Sequence, residues 1–371
     1  MAAGISRMRS WSGREDGRMA KKIKPVNAVI ILLIVAVGGF AAGRFWISKQ
    51  DFNAPEEPAD KAAMAMQQLT ERLAQGNYDG LYDSWKANDT VIDSQESYET
   101  ALKDKLGDAA DLTWIETDNY SDEHPQYVLN NGSENLVMVD LVQSGDGYVP
   151  VIPLHGSRSV KIEVPKGMTI YAGGSPVDSS RIVESDVLAS NFRQMNDDSY
   201  VPVVDIYELD GLLDEPALQD ESGNELSVVK DVISEDLLVG ESIDDENLKQ
   251  TIIDAATAMA AFPAQDGSLG AVAAYADPSA GWYYRYSSLP NYWFYPHSVY
   301  EFSNQDVIAI TSQSEDTAVA HVVFDYFADG GDYSRTWHVG YQLTMHELNG
   351  SWYVASTAID NELNPGTEPI E

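Results

Sequence analysis

The sequence predicts an α+β protein: an N-terminal transmembrane helix, then two cone-shaped helix-plus-antiparallel-sheet domains flanking a small β-sandwich-like module. Three observations carry this. One apolar run, Val26 to Ala42, follows a basic N-terminus. Helical periodicity gives way to strand alternation within residues 59–155, and the same order returns within 231–361. Between them, 156–230 reads as strands and turns only.

The basic flank is Arg7, Arg9, Arg14, Arg18, Lys21, Lys22 and Lys24 against only Glu15 and Asp16. Positive flanks stay inside, so residues 1–25 are expected to be a cytoplasmic tail and the C-terminal bulk to be extracellular. The 17-residue run is short for a span of about 20 residues, but Arg44 can snorkel and Phe45, Trp46 and Ile47 suit the outer interface. The span is therefore taken as 26–47. Gly39, Ala41, Ala42 and Gly43 leave a cleaved signal peptide as the rival reading. Met19, ahead of Ala-Lys-Lys-Ile-Lys, is a second candidate start.

The chain has no cysteine, which excludes disulfides, thiolate metal sites, Cys nucleophiles and a lipoprotein anchor. Residues 1–50 carry nine Lys/Arg against two Asp/Glu, and the rest 14 against 57, a balance of −43. That field repels nucleic acid and anionic lipid, and it favours solubility or cationic partners. No nucleic-acid partner is expected.

Residues 48–58, with Pro55 and Pro58, form a stiff polar linker. Ala62, Met66, Leu69 and Leu73 recur at helical spacing before the Gly76-Asn77 stop. A short helix spans Tyr78 to Trp85, and another follows Ser94 and ends at Gly107. Strand-like runs come next at Leu112–Glu116, Gln126–Leu129, Leu136–Val142 and Tyr148–Ile152, with Asn-Gly and Gly-Asp-Gly turns. In the middle module Val160–Val177 alternates with period two around a Pro-Lys-Gly turn, and Val201–Leu209 follows. In the last domain a capping box is expected at Ser242–Asp245, ahead of a helix burying Leu248, Ile252, Ala255, Met259 and Phe262. Strands are expected at 306–311, 318–327, 337–346 and 351–358. An acidic tail, 362–371, closes the chain.

The helix, Gly-Asn-Tyr-Asp-Gly-Leu-Tyr element (Gly76 to Tyr82), later helix and meander resemble the ketosteroid-isomerase-like, nuclear-transport-factor-like superfamily. Val160–Val177, Val201-Pro and Gly211-Leu-Leu-Asp-Glu-Pro are similar to the β modules of the teicoplanin-resistance-associated bacterial membrane proteins. This resemblance implies an envelope-associated protein more than any reaction. Those proteins often carry a cytoplasmic zinc ribbon, which a chain without Cys cannot build.

Candidate chemistry is sparse. On a strand, His338, Gln342 and His346 share one face and Trp337, Val339, Tyr341, Leu343 and Met345 the other, so the polar set belongs to a solvated or partner face. His321 and Asp325 lie about 13 Å apart along one strand. A dyad between strands, such as Asp325 with His338, stays open on geometry but is not the expected reading. His124, His155 and His297 lack a second His at metal spacing. Asp197-Asp198, Asp214-Glu215 and Asp244-Asp245 lack the pattern of a calcium loop. No phosphate-binding loop or nucleophile elbow occurs. Neither a metal nor a cofactor is expected.

The suggestive surface is aromatic. Trp282-Tyr-Tyr-Arg-Tyr, read as a strand, places rings on both faces, so some must leave the core. Trp282, Tyr283, Arg285, Tyr286, Trp293 and Tyr295 are the expected ligand or partner contacts. The expected function is a membrane-anchored, non-catalytic envelope module that binds a cell-wall glycan or another envelope protein. The alternatives are an isomerase-like or hydrolytic enzyme using a cone pocket and, more weakly, a sensor of a cell-wall antibiotic.

Overall fold

The computed structural model describes residues 58–89, 91–107, 109–288 and 295–363. The expected basic tail, membrane helix and linker up to residue 57 lie outside the described residues, as do Trp293 and the tail beyond Leu363. Among the described residues no helix is long and apolar enough to cross a membrane.

The N-terminal region opens with α1 (Pro58–Ala74), whose Ala62, Met66, Leu69 and Leu73 form one buried stripe. After Gly80, at φ 74°, α2 (Leu81–Lys86) buries Leu81, Tyr82 and Trp85. The Ser94 side chain accepts from the Ser97 N–H and caps α3 (Gln95–Leu106). These helices pack on an antiparallel sheet in chain order: β1 (Thr113–Glu116), β2 (Gln126–Asn130), β3 (Asn135–Ser144) and β4 (Gly147–Val151). Tyr127, Leu129, Val137, Val139 and Leu141 meet the helices, and Tyr98 fills the centre, its hydroxyl donating to the Ile152 carbonyl at 3.0 Å.

The middle region is built on a five-stranded sheet. β5 (Arg158–Pro165), β8 (Ile182–Leu188), β9 (Val203–Leu212), β11 (Ser227–Lys230) and β12 (Leu237–Gly240) lie in the order β11-β12-β5-β9-β8. A small sheet of β6 (Tyr171–Ala172), β7 (Ser175–Pro176) and β10 (Leu218–Gln219) closes its core. The β12–β5 pair is parallel. The strand content therefore continues past residue 230 to Gly240. Alternation misses β12 because Leu237-Leu-Val-Gly is buried on both faces and reads as a continuous apolar run.

The C-terminal region starts with α4 (Glu246–Ala264). Its cap is Asp245, which accepts from the Asn247 and Leu248 N–H groups, and not the expected Ser242, which pairs instead with Thr311. Two short helices follow, α5 (Leu269–Ala273) and α6 (Trp282–Tyr286). Then comes a meander of long strands: β13 (Val299–Ser314), β14 (Thr317–Asp329), β15 (Ser334–Leu348) and β16 (Ser351–Ile359), antiparallel in chain order. Helices followed by a four-stranded meander thus occur twice.

The middle region covers the outer face of this last sheet. Gln342, Thr344 and His346, the polar side of β15, are buried. The Asn191 amide donates to the Thr344 hydroxyl at 3.0 Å, and the Gln194 amide to the Thr357 carbonyl at 3.1 Å. Asp231, fully enclosed, accepts from Arg193 at 2.9 and 3.0 Å, from the Ile233 and Ser234 N–H groups, and from Gln342 at 3.2 Å. Of the face expected to be solvated or to meet a partner, Gln342 and His346 meet one within their own chain, while His338 stays exposed.

Glu163, at the same seam, accepts from the Ser190 N–H and from Gln313. Burial holds its carboxyl above the usual glutamate value of 4.5. A raised folded-state pKa means that stability is gained as pH falls through that pKa toward 4.5 and lost as it rises again. Glu163→Gln is expected to fold without loss at pH 7, because the buried Gln313 Oε1 has no donor and a side-chain amide can supply one. Denaturant melts between pH 7 and 4.5 should show the acid-side gain in the wild type and not in the variant.

Candidate functional site

The best-organised polar cluster lies at one end of the C-terminal sheet. Helix α4 ends on Gln265, at φ 69°, and the next two N–H groups turn back to the Ala261 carbonyl. That turn fixes Asp266 beside the sheet. Both Asp266 oxygens face His297 Nε2, at 2.9 and 3.0 Å, and the Tyr326 hydroxyl donates to Oδ2. His297 Nδ1 lies against the Tyr295 carbonyl. Carbonyl and carboxylate oxygens accept, so both ring nitrogens are placed to donate, an arrangement that favours the protonated ring.

Burial disfavours that charge, but the Tyr295 carbonyl and Asp266 outweigh it, and the His297 pKa is raised above 6.5. Burial and Asp266 push the Tyr326 phenol upward, so it remains a donor. Stability from this clamp is complete below pH 6.5 and is lost as pH rises through the raised value. His297→Ala is expected to cost about 1–3 kcal/mol at pH 6 and progressively less toward pH 9, because it strands a carboxylate. Thermal melts across that range test it.

Aromatic rings surround the clamp. Phe302 and Tyr326 have centroids 5.2 Å apart, Tyr326 and Trp337 5.6 Å, Tyr295 and Trp337 5.8 Å, and Tyr295 and Tyr333 5.7 Å. The Arg335 guanidinium stands 5.2 Å over the Trp337 ring. Tyr300 and Tyr333 are 43 % and 58 % exposed, so the cluster presents stacking faces to solvent.

The expected contacts divide. Trp282 is 2 % exposed and its indole N–H donates to the Val354 carbonyl at 2.7 Å, which places it in the core. Tyr286, four residues on, turns the same way and its hydroxyl meets the Met259 carbonyl. The segment is a helical turn and not a strand, so Trp282 and Tyr286 share the inner face while Tyr284 and Arg285 point out. Tyr283 is half-buried against the core. Tyr295 alone of the expected set joins the Asp266 cluster, and Trp293 lies outside the described residues.

Each histidine of the C-terminal region stands against one aspartate. Asp325 and His338 are direct cross-strand partners in contact, and Asn304 donates to the other Asp325 oxygen at 2.7 Å. Asn304 foremost, with His338, holds the Asp325 carboxyl below the usual range despite some desolvation. His338 itself is 76 % exposed. His346 Nδ1 meets buried Asp277 at 2.7 Å under the Tyr200 ring. His321 Nε2 approaches Asp360 at 2.9 Å without hydrogen-bond alignment. Three of these pairs are 13, 31 and 69 residues apart, so local spacing carried no signal. Only cross-strand register pointed to Asp325–His338. Among the described residues no three His, Asp or Glu side chains converge as a metal site.

No family model matches the sequence, and no curated protein does. A solved structure described as an Ntf2-like protein involved in plasmid conjugation is similar over 67 % of this chain and 75 % of its own. Its sequence identity is 10 % and its TM-score 0.23, and a score that low carries no argument about fold or function.

Proposed function

We propose that the chain is a membrane-anchored extracytoplasmic protein of the cell envelope whose folded part is a non-catalytic binding module for a wall component or a partner protein. The observation carrying this reading is the state of the aromatic end. Its ionisable groups are engaged with one another, since Asp266 takes both His297 and Tyr326, while Tyr300 and Tyr333 face outward. Rings around a neutralised charge pair suit stacking on a sugar or peptide better than proton transfer. The basic flank and apolar run support the anchor. The sequence likeness to nuclear-transport-factor-like domains and to teicoplanin-resistance-associated proteins points the same way.

The test is capture by the full-length, detergent-solubilised protein from isolated cell wall and from solubilised membranes, at low and moderate salt. Salt-resistant capture of wall glycan or of one protein is expected, reduced about tenfold by the exposed-ring variant Tyr300→Ala/Tyr333→Ala. Capture unaffected by that variant removes the aromatic end from the proposal. The enzymatic alternative rests on the exposed Asp325–His338 pair, an imidazole held by a carboxylate. His338→Ala abolishing turnover of a model ester would favour it.

A further inference from the structure

The aromatic end of the C-terminal sheet turns most of its polar tips inward. The Tyr300 hydroxyl donates to the Asp266 carbonyl at 3.3 Å, the Tyr295 hydroxyl to the Tyr333 carbonyl at 2.9 Å, and the Tyr326 hydroxyl to Asp266 Oδ2. Behind them the Asp266–His297 pair is enclosed, its side chains 11 % and 5 % exposed. What this end offers to solvent is ring surface, on Tyr300 and Tyr333 above all. A sugar or a primary ammonium gives up hydration on binding and needs hydrogen-bond partners in return. Ring faces supply few of them.

A cation is already seated on this surface. The Arg335 guanidinium stands over the Trp337 ring, and among the described residues it forms no ion pair. Its surroundings make that notable, because residues 241–363 hold three Lys/Arg, namely Lys249, Arg285 and Arg335, against 17 Asp/Glu. Lys249 lies against Asp244 and Glu246, as expected in such a field. Arg335 lies on a ring instead. The ring quadrupole attracts the positive charge, and the acidic field concentrates cations around the whole region.

The field alone selects nothing, since it draws any cation to any part of the chain. The rings do select. A compact, strongly hydrated ammonium keeps its water and stays with carboxylates, whereas a methylated ammonium has no N–H to satisfy and loses little by lying on a ring. We infer that the aromatic end is a recognition site for a quaternary ammonium group of the choline type, carried by a wall polymer or by a lipid headgroup. The group lies against the exposed rings of Tyr300 and Tyr333. Resting on the reading of this end as the binding surface, this narrows the ligand from any stacking partner to a cation.

The probes are choline and its neutral isostere in which carbon replaces the nitrogen. Each is titrated into the full-length protein, solubilised in a detergent without ammonium groups, and read by tyrosine and tryptophan fluorescence. Choline is expected to bind saturably and the isostere about tenfold more weakly. Tyr333→Ala should weaken choline about tenfold and Tyr333→Phe should leave it unchanged, because the ring and not the hydroxyl makes the contact. Arg335→Ala should tighten it, since that variant removes a competing cation and bares the Trp337 face. Equal binding of the isostere, loss in Tyr333→Phe, weakening in Arg335→Ala or an absence of choline binding would each overturn the proposal. Displacement of choline by phosphatidylcholine vesicles assigns the headgroup to a lipid, and release of captured wall polymer by choline assigns it to the wall; either supports the site. Capture that needs Tyr300 and Tyr333 but that choline does not release overturns this inference and leaves the binding surface standing. Capture independent of both rings overturns both.

Discussion

Asp231→Ala is expected to destabilise the protein by about 3–5 kcal/mol, the cost of breaking a buried ion pair from one side. The carboxylate is fully enclosed and takes donors from Arg193, Gln342 and two backbone N–H groups. Removing it leaves Arg193 without its counter-charge and Gln342 without its acceptor. Desolvation opposes the charged form of Asp231, but the Ser234 and Ile233 N–H groups, Gln342 and Arg193 together outweigh it, and the pKa lies below 3.8. A depressed carboxylate contributes stability that is present above 3.8 and lost as pH falls through the lower folded value. The wild type should therefore weaken below pH 4 and the variant much less over the same interval. Equilibrium denaturation of both proteins from pH 3 to pH 7 checks magnitude and sign together. A loss under 1 kcal/mol would mean that the seam between the two sheets is not held by this network.

Trp282→Ala is expected to cost about 3–5 kcal/mol, as for other large aromatic truncations in cores. The indole sits edge-on to Tyr283 and Tyr286 and its N–H donates to the Val354 carbonyl, so the loss combines a cavity with one of that carbonyl's two hydrogen bonds, the Asp277 N–H remaining. This separates scaffold from contact within one run of sequence. Arg285→Ala and Tyr284→Ala, both exposed, should change stability by less than about 0.5 kcal/mol. Any effect they have on capture would then report binding alone. Thermal melts of the three variants, run before any binding assay, decide which substitutions can be interpreted.

The elements legible in the sequence were those with one clean period. Ala62, Met66, Leu69 and Leu73, and Leu248, Ile252, Ala255 and Met259, mark their buried helix faces directly. The strands from Ala318 to Phe327 and Trp337 to His346 alternate clearly enough to be placed, although the polar side of the second, Gln342, Thr344 and His346, is buried as well. The illegible parts had two-sided burial or long-range partners. β12 reads as an apolar run because both of its faces are covered, and Trp282–Tyr286 reads as a strand only while its i, i+4 spacing is ignored. The Asp266–His297–Tyr326 clamp joins residues 31 and 60 apart, brought together by a helix end and a strand end that no local pattern connects. Tyr295 was recognised as part of a surface, whereas its carbonyl, which helps to raise the His297 pKa, was not.

The polar seam between the middle and last sheets also sets a timetable. Asn191 must wait for Thr344, made 153 residues later, and Gln194 for Thr357, 163 residues later. At a synthesis rate of about 5–20 residues per second, those two side chains spend roughly 8–30 s without their partners. Contacts of such separation also form slowly, since a long loop must close before they repay it. The nascent middle region is thus the stage most open to misassociation, and its side of the seam carries Asn191, Gln194, Arg193 and Asp231, which water can satisfy during the delay.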